Sequence, residues 1–361
     1  MITVSIFSVV PAFAQTTYDN EKKDFDVYVE KTLAHFHAAA INLDQNNNNL
    51  ASMHATHPIA ELYDLMKPEL DEYNSTLSEE VKQTLSDLRN KITPETSRQD
   101  AQAALDDARQ LLDKARDVVV GDVLYDNIHF KIDVINELLE SSIGEYEEGV
   151  SDRKVVATVE FQDASAFVWQ SQQLYESIKS QIPENNAKEI DKLYGDLFSN
   201  YDKKAPASEI DTMTDNLKSK FNVAGGSESK TVQLSDYLAN VKNLLNQAKG
   251  EYSEGNKDKA LSLVTKAYLN NFEYLEPTIT NNNLQLKQDL EKMMREDLRS
   301  MIKNNASISD VSAEIDSIQS KLDSVAAIVP EFGPITVSVF ALAISVIIAI
   351  RLKSNKLVPR I

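Results

Sequence analysis

Apolar residues recur at helical spacing along almost the whole chain, and glycine is kept to the breaks between those runs. Ile128, Ile132, Ile135, Leu138 and Leu139 form one such face, and Leu238, Val241, Leu244, Leu245 and Ala248 form another. Residues three and four apart lie on one side of a helix, so these runs predict amphipathic helices that need partners to bury them. Of only nine glycines, most sit at Gly121, Gly144, Gly149, Gly225, Gly226 and Gly255. Nothing in the pattern supports strands. The chain is therefore expected to be all-α, built of antiparallel helical hairpins over 20–43, 50–72, 77–92, 97–119, 122–148, 153–181, 186–200, 207–221, 231–253, 256–277 and 283–304. A further amphipathic stalk is expected over 308–328.

The hairpins repeat. Gly144-Glu-Tyr-Glu-Glu-Gly149 returns as Gly250-Glu-Tyr-Ser-Glu-Gly255, five of six residues identical at an offset of 106. A turn shared together with the helices on either side points to duplicated units, and the hairpin over 20–72 has the same shape. The register is expected to continue through Asp152/Asp258, Val155/Leu261 and Thr158/Val264. Lys220–Lys230, which contains Gly225-Gly226-Ser227, is the natural boundary. It separates an expected helical bundle over 15–221 from a repeat unit and stalk over 231–328.

Charge and cysteine narrow the function. The net charge is −19. Taking away the four cationic residues after the final apolar run, −19 minus 4, leaves about −23 for the remainder. An acidic surface of this kind attracts cations and argues against nucleic acid as a partner. With no cysteine in the chain, disulfides, thiolate metal sites and a cysteine nucleophile are excluded. No phosphate-binding glycine loop, serine elbow or paired-histidine zincin motif is present, and His54-x-x-His57 has the wrong spacing for the last. Asn74-Ser75-Thr76 and Asn305-Ala306-Ser307 fit the glycosylation sequon.

Both ends suggest export. Ile2–Val10 is largely apolar, and Ala12-Phe13-Ala14 ahead of Gln15 is a small-x-small cleavage site, so 1–14 is expected to be a signal peptide, although without a basic n-region. At the other end, Ile335–Ile350 is an uncharged run of 16 residues, about 24 Å as a helix. Including Arg351 and Leu352, 335–352 is expected to span a membrane, arginine snorkelling to the interface. Arg351, Lys353, Lys356 and Arg360 would hold the terminus in the cytoplasm and everything before Pro330 outside. Pro330-Glu331-Phe332-Gly333-Pro334 before this run resembles the PEFG-type C-terminal sorting signal of ammonia-oxidising and related archaea. That resemblance implies that the 330–361 tail is read by an archaeosortase-type processing enzyme, with a membrane or lipid anchor as the outcome.

A second resemblance covers much of the ectodomain. Gly250–Gly255, followed by Ala267-Tyr268-Leu-Asn-Asn-Phe272-Glu273-Tyr-Leu-Glu276-Pro277, is similar to the extracytoplasmic helical region of bacterial-type high-affinity iron permeases. So are Val159-Glu160-Phe161-Gln162-Asp163-Ala164 with Phe167-Val168, and His54-Ala-Thr-His57-Pro58 with Glu61 and Pro68-Glu69-Leu70. The permease proper carries Arg-Glu-x-x-Glu inside membrane helices. Here Arg295-Glu296-Asp297-Leu298-Arg299 lacks the second glutamate, so the resemblance implies a tethered relative of the outer region, with a membrane permease as its partner.

Metal-ligand chemistry would rest on histidines and carboxylates. Four of the five histidines fall within 35–57. His54, His57 and Glu61 share one helical face, and an antiparallel first hairpin sets His37 opposite them, with His35 turned about 200° away. Such a set suits iron, copper, zinc or nickel. It would equally serve as the flank of a hairpin seam. Two further pairs at i, i+3, Glu160 with Asp163 and Glu273 with Glu276, lie in apolar surroundings where a buried charge needs a partner. The partner would be a cation or a lysine such as Lys266. Taken together, the residues predict a non-catalytic, surface-anchored protein that binds a metal ion, iron first with copper or zinc also suited. The rival expectation is a structural or adhesive envelope protein.

Overall fold

The computed structural model describes residues 20–93, 95–225 and 234–328. The expected signal peptide 1–14, the sorting signal Pro330–Gly333 and the apolar run 335–352 lie outside the described residues. Among the described residues, no helix is long and apolar enough to cross a membrane. The chain divides into two compact units, with the boundary between Ser229 and Lys230.

The first unit holds two four-helix bundles. One comprises α1 (Asn20–Asp44), α2 (Asn48–His57) running through a π-helical turn (Pro58–Leu62) into α3 (Tyr63–Lys91), and α4 (Arg98–Val119). Asn74 divides α3 in two: its backbone is extended at φ −165°, ψ 92°, and its Oδ1 accepts from Leu77 N, capping the second half. The sequence reading of two helices, 50–72 and 77–92, reflects this break. After the single turn α5 (Asp122–Tyr125), the other bundle is α6 (Ile128–Gly149), α7 (Thr158–Ile178), α8 (Glu184–Asp202) and α9 (Ala207–Ala224).

The second unit is a third bundle of α10 (Leu234–Ser253), α11 (Lys257–Ala267), α12 (Glu276–Glu291), α13 (Arg299–Lys303) and α14 (Ile308–Ala326). A π-helical turn, Tyr268–Phe272, follows α11. Asn283 breaks α12 as Asn74 breaks α3, with its Oδ1 on Leu286 N.

The three bundles are repeats, and their buried seams show it. Val29, Thr32, Phe36, Ala39 and Leu43 on α1 correspond to Ile132, Ile135, Leu139, Ser142 and Tyr146 on α6, and to Leu238, Val241, Leu245, Ala248 and Tyr252 on α10. All fifteen are buried. Their spacing of three and four is the period of helices packed side by side. Ser97 and Ser307 cap α4 and α14 alike, each Oγ accepting from the amide three residues on. The tyrosines of the repeated motif serve packing: Tyr146 donates to Ala205 O and Tyr252 to Ala306 O, both at 2.7 Å, tying the end of the first helix to the start of the last.

One expectation needs correction. The 106-residue register stops at the turn. Val150–Ser151 and Lys154–Val155 form a two-residue antiparallel hairpin there, with Asp152 and Arg153 at positive φ. These are the only strands among the described residues. They lengthen the turn, so the second helices align at an offset of 97, Phe167 with Val264 and Tyr175 with Phe272, and the Val155/Leu261 pairing is lost. Gly149 is required at this turn because a Cβ there would lie 2.6 Å from Phe161 N.

Candidate metal centre

Helix α1 differs from its counterparts in being buried on nearly every side, since it packs against α2, α3 and α4 of its own bundle and also against α6 and α7. Its polar residues therefore have to find partners inside the protein. Asp26 and Glu30 do so with Arg116, whose Nε and Nη2 donate to them at 2.7 and 2.5 Å. Burial, partly offset by Arg116, raises Glu30 to about 7. One and a half turns further on, His35 enters a second polar cluster.

That cluster is centred on Asp163 of α7. His35 Nδ1 and His54 Nδ1 lie 2.8 and 2.9 Å from its Oδ1, and His57 Nδ1 lies 3.2 Å from its Oδ2. The rings stand around the carboxylate with centroids 5.0 Å (His35–His57), 6.2 Å (His54–His57) and 6.4 Å (His35–His54) apart. Ala34, Ala38, Ala166 and Phe167 close one side, the Phe167 ring 5.5 Å from His35. Three of the four side chains are at most 4% exposed, whereas His57 is 17% exposed and forms the edge toward solvent. Pro58 follows it directly. Proline has no N–H to give to the carbonyl four residues back, and the chain widens there into the π turn, whose Tyr63 N bonds Pro58 O.

Burial sets these groups against one another. Burial alone would raise the Asp163 carboxyl, but His35 and the hydrogen bonds from all three rings hold it well below its ordinary value. Burial lowers His35, and Asp163 recovers only part of that fall. His57 goes the other way. Burial opposes its charge, but the bond to Asp163 and the charges of Glu61, Asp163 and Glu160 prevail and raise it to about 9.

His54, His57 and Asp163 of the sequence candidates thus come together, with Glu61 and Glu160 placing their charges beside His57. His37 does not join them. It lies flat on Trp169, centroids 3.5 Å apart and planes 3° apart, and burial with the nearby Arg109 lowers it to about 4. The ring expected to face away, His35, takes its place. The hairpin register was sound, but the rotation of α1 was not, because a helix buried all round has no apolar stripe to orient it.

The other carboxylate pair, Glu273 and Glu276, lies in the second unit. Glu276 is buried on Lys287, its Oε2 2.9 Å from Nζ, and accepts from Tyr268 OH at 3.3 Å. It makes a buried ion pair with Lys287. Glu273 lies in a separate 3₁₀ turn, Glu273–Leu275. Among the described residues, the group of three or more histidine or acidic side chains with donor atoms all within 4.8 Å of one another is His35, His54 and Asp163. Sequence reasoning also passed over Asn42 and Gln162, which hold His54 from behind. The one signal for Gln162 was its place beside Asp163.

Residues 124–228, the second bundle with α5, match the family described as the iron permease-associated 4-helix bundle domain. The match takes in α7 and therefore Asp163, but not His35, His54 or His57. No curated protein and no solved structure matches the chain.

Proposed function

We propose that this chain is a non-catalytic, extracytoplasmic metal-binding protein, held at the cell surface by its C-terminal tail, that handles iron for uptake through a membrane permease. His35, His54, His57 and Asp163 hold the cargo ion, and Glu61 and Glu160 draw cations toward His57. The observation that carries this reading is the convergence of three imidazole Nδ1 atoms on one buried carboxylate. Metal–nitrogen and metal–oxygen bonds of about 2.1 Å give neighbouring octahedral ligands a separation of about 3.0 Å. The 2.8 and 2.9 Å contacts of His35 and His54 with Asp163 Oδ1 fit that separation. Two imidazoles and a carboxylate on one face suit ferrous iron, and copper or zinc would also be accepted by such donors. The iron permease-associated domain at 124–228 supports iron as the cargo. The sorting motif supports processing by an archaeosortase-type enzyme, which the mass of the mature C-terminus would test.

A structural reading has one observation in its favour: three ring nitrogens already serve Asp163 as hydrogen-bond partners. The two separate on metal content. Purified protein exposed to Fe(II), Cu(II), Zn(II) and Mn(II), then dialysed, is expected to retain one ion, and His35→Ala/His54→Ala to retain none. A wild-type protein that emerges metal-free would leave the cluster as a structural knot.

A further inference from the structure

His54 is held at both of its nitrogens. Nδ1 lies 2.9 Å from Asp163 Oδ1, and Nε2 lies 2.8 Å from Gln162 Oε1. An imidazole can offer a metal either nitrogen, and the one it offers is decided by where its proton sits. In this protein the proton's position can be traced back to a backbone carbonyl.

Asn42 Nδ2 donates to Ala38 O at 2.9 Å. A carbonyl only accepts, so this contact settles which end of the Asn42 amide is nitrogen. The same Nδ2 donates to Gln162 Oε1 at 2.9 Å, and Gln162 Nε2 donates back to Asn42 Oδ1 at 3.2 Å. The reciprocal pair fixes the Gln162 amide in its turn, and the atom turned toward His54 is an oxygen. His54 Nε2 must then carry hydrogen to meet it, and Nδ1, which faces Asp163, is the nitrogen left to exchange its hydrogen bond with the carboxylate for an ion.

We propose that Asn42 and Gln162 are positioning residues that reserve His54 Nδ1 as the metal-binding nitrogen. This rests on the metal-binding reading above and adds the atom through which His54 acts and the residues that select it. Neither amide touches the ion. Their part is to keep hydrogen on Nε2, so that an ion can replace the Nδ1–Asp163 hydrogen bond without the ring having to turn. Outer-shell partners of this kind are worth about 10–100-fold in metal affinity.

The test uses the full-length protein with ¹⁵N-labelled histidine, whose five rings can be resolved, and Zn(II) as a diamagnetic probe. Long-range proton–nitrogen spectra are expected to show His54 as the Nε2–H tautomer with zinc on Nδ1. Gln162→Leu should lower zinc affinity about 10–100-fold and release the ring to both tautomers. Gln162→Glu keeps an acceptor toward His54 and should stay within about threefold of wild type. An Nδ1–H tautomer in the zinc-loaded protein would overturn the proposal, as would a Gln162→Leu protein with wild-type affinity and spectrum. A wild type that takes up zinc while the variants behave like it removes the positioning role alone. A wild type that takes up no zinc removes the metal reading and the positioning role together. Spectra of the wild type alone report the tautomer if Gln162→Leu fails to fold.

Discussion

Replacing Asp163 by asparagine removes the charge on which three rings converge while keeping the side chain's shape. The size of the effect can be worked from His57, whose value is raised from 6.5 to about 9. At about 1.4 kcal/mol per unit, a rise of that size is worth roughly 3 kcal/mol. The sign follows from linkage: a base held above its unfolded value stabilises the fold fully below pH 6.5, and that stability is lost as pH climbs through about 9. Metal-free wild type should therefore lose roughly 3 kcal/mol from His57 between pH 6.5 and 9.5, and Asp163→Asn should lose much less over the same interval. At pH 6 the variant should be less stable by about 3–5 kcal/mol, the usual cost of stripping the partner from a buried charge. Urea unfolding followed by the fluorescence of Trp169, the single tryptophan, reads the unit that contains the site. Equal pH dependence in the two proteins would refute the argument, since His57 would then owe its charge to something other than Asp163.

Other outcomes follow from the same geometry. His35→Ala should abolish stoichiometric metal uptake, whereas His37→Ala should leave it intact and cost only about 0.5–1.5 kcal/mol for the lost Trp169 stack; metal content and urea unfolding check both. Glu276→Ala should destabilise the second unit by about 1–3 kcal/mol, since Lys287 loses its buried partner but keeps Glu291 at 2.8 Å, with metal content unchanged. Gly149→Ala should cost about 1–3 kcal/mol, because the new Cβ has backbone atoms of Phe161 in its way and α7 must shift; a thermal melt measures it.

The helices were legible because periodicity and glycine placement are local signals, and the breaks at Asn74 and Asn283 fell where the apolar pattern paused. The site was legible only in part. His54 and His57 stood out by spacing on one helix. Asp163, 109 residues from His54, stood out as one of an i, i+3 pair in apolar surroundings, but nothing local tied it to the histidines. His35 was set aside because the rotation of α1 depends on what packs against its second face, and that surface is supplied by α6 and α7. The kinship of the first and third bundles showed only in the shape of the 20–72 hairpin, for a related reason. It lies in which positions are buried, with few identities beyond Pro68/Pro277, Asn74/Asn283 and Ser97/Ser307.

That kinship bears on why, among the described residues, the cluster of donors lies in the first bundle and has no counterpart in the third. From α1 to the middle of α3, the first bundle aligns with the third at an offset of 209: Ala51 with Ala260, Tyr63 with Phe272, Leu70 with Ile279 and Leu77 with Leu286, all of them buried. At the same offset His35, His54 and His57 correspond to Leu244, Leu263 and Lys266. The third bundle therefore has the helical frame of the site and none of its nitrogens. Its buried carboxylate, Glu276, pairs instead with Lys287. The carboxylate is not part of the first bundle's frame at all, since it comes from α7, at the position that corresponds to Ala260 at the offset of 97. The frame alone does not make the centre. Histidines from one repeat must meet an aspartate from the next, and the second buried face of α1 brings that contact about. A helix already packed by its own bundle can bury such a polar second face only if each group on it is answered. Arg116 answers Asp26 and Glu30, Gln162 answers Asn42, and Asp163 answers His35. Of these pairings, the last leaves imidazole nitrogens and a carboxylate oxygen facing one point, with an edge open at His57, which is what an incoming cation requires.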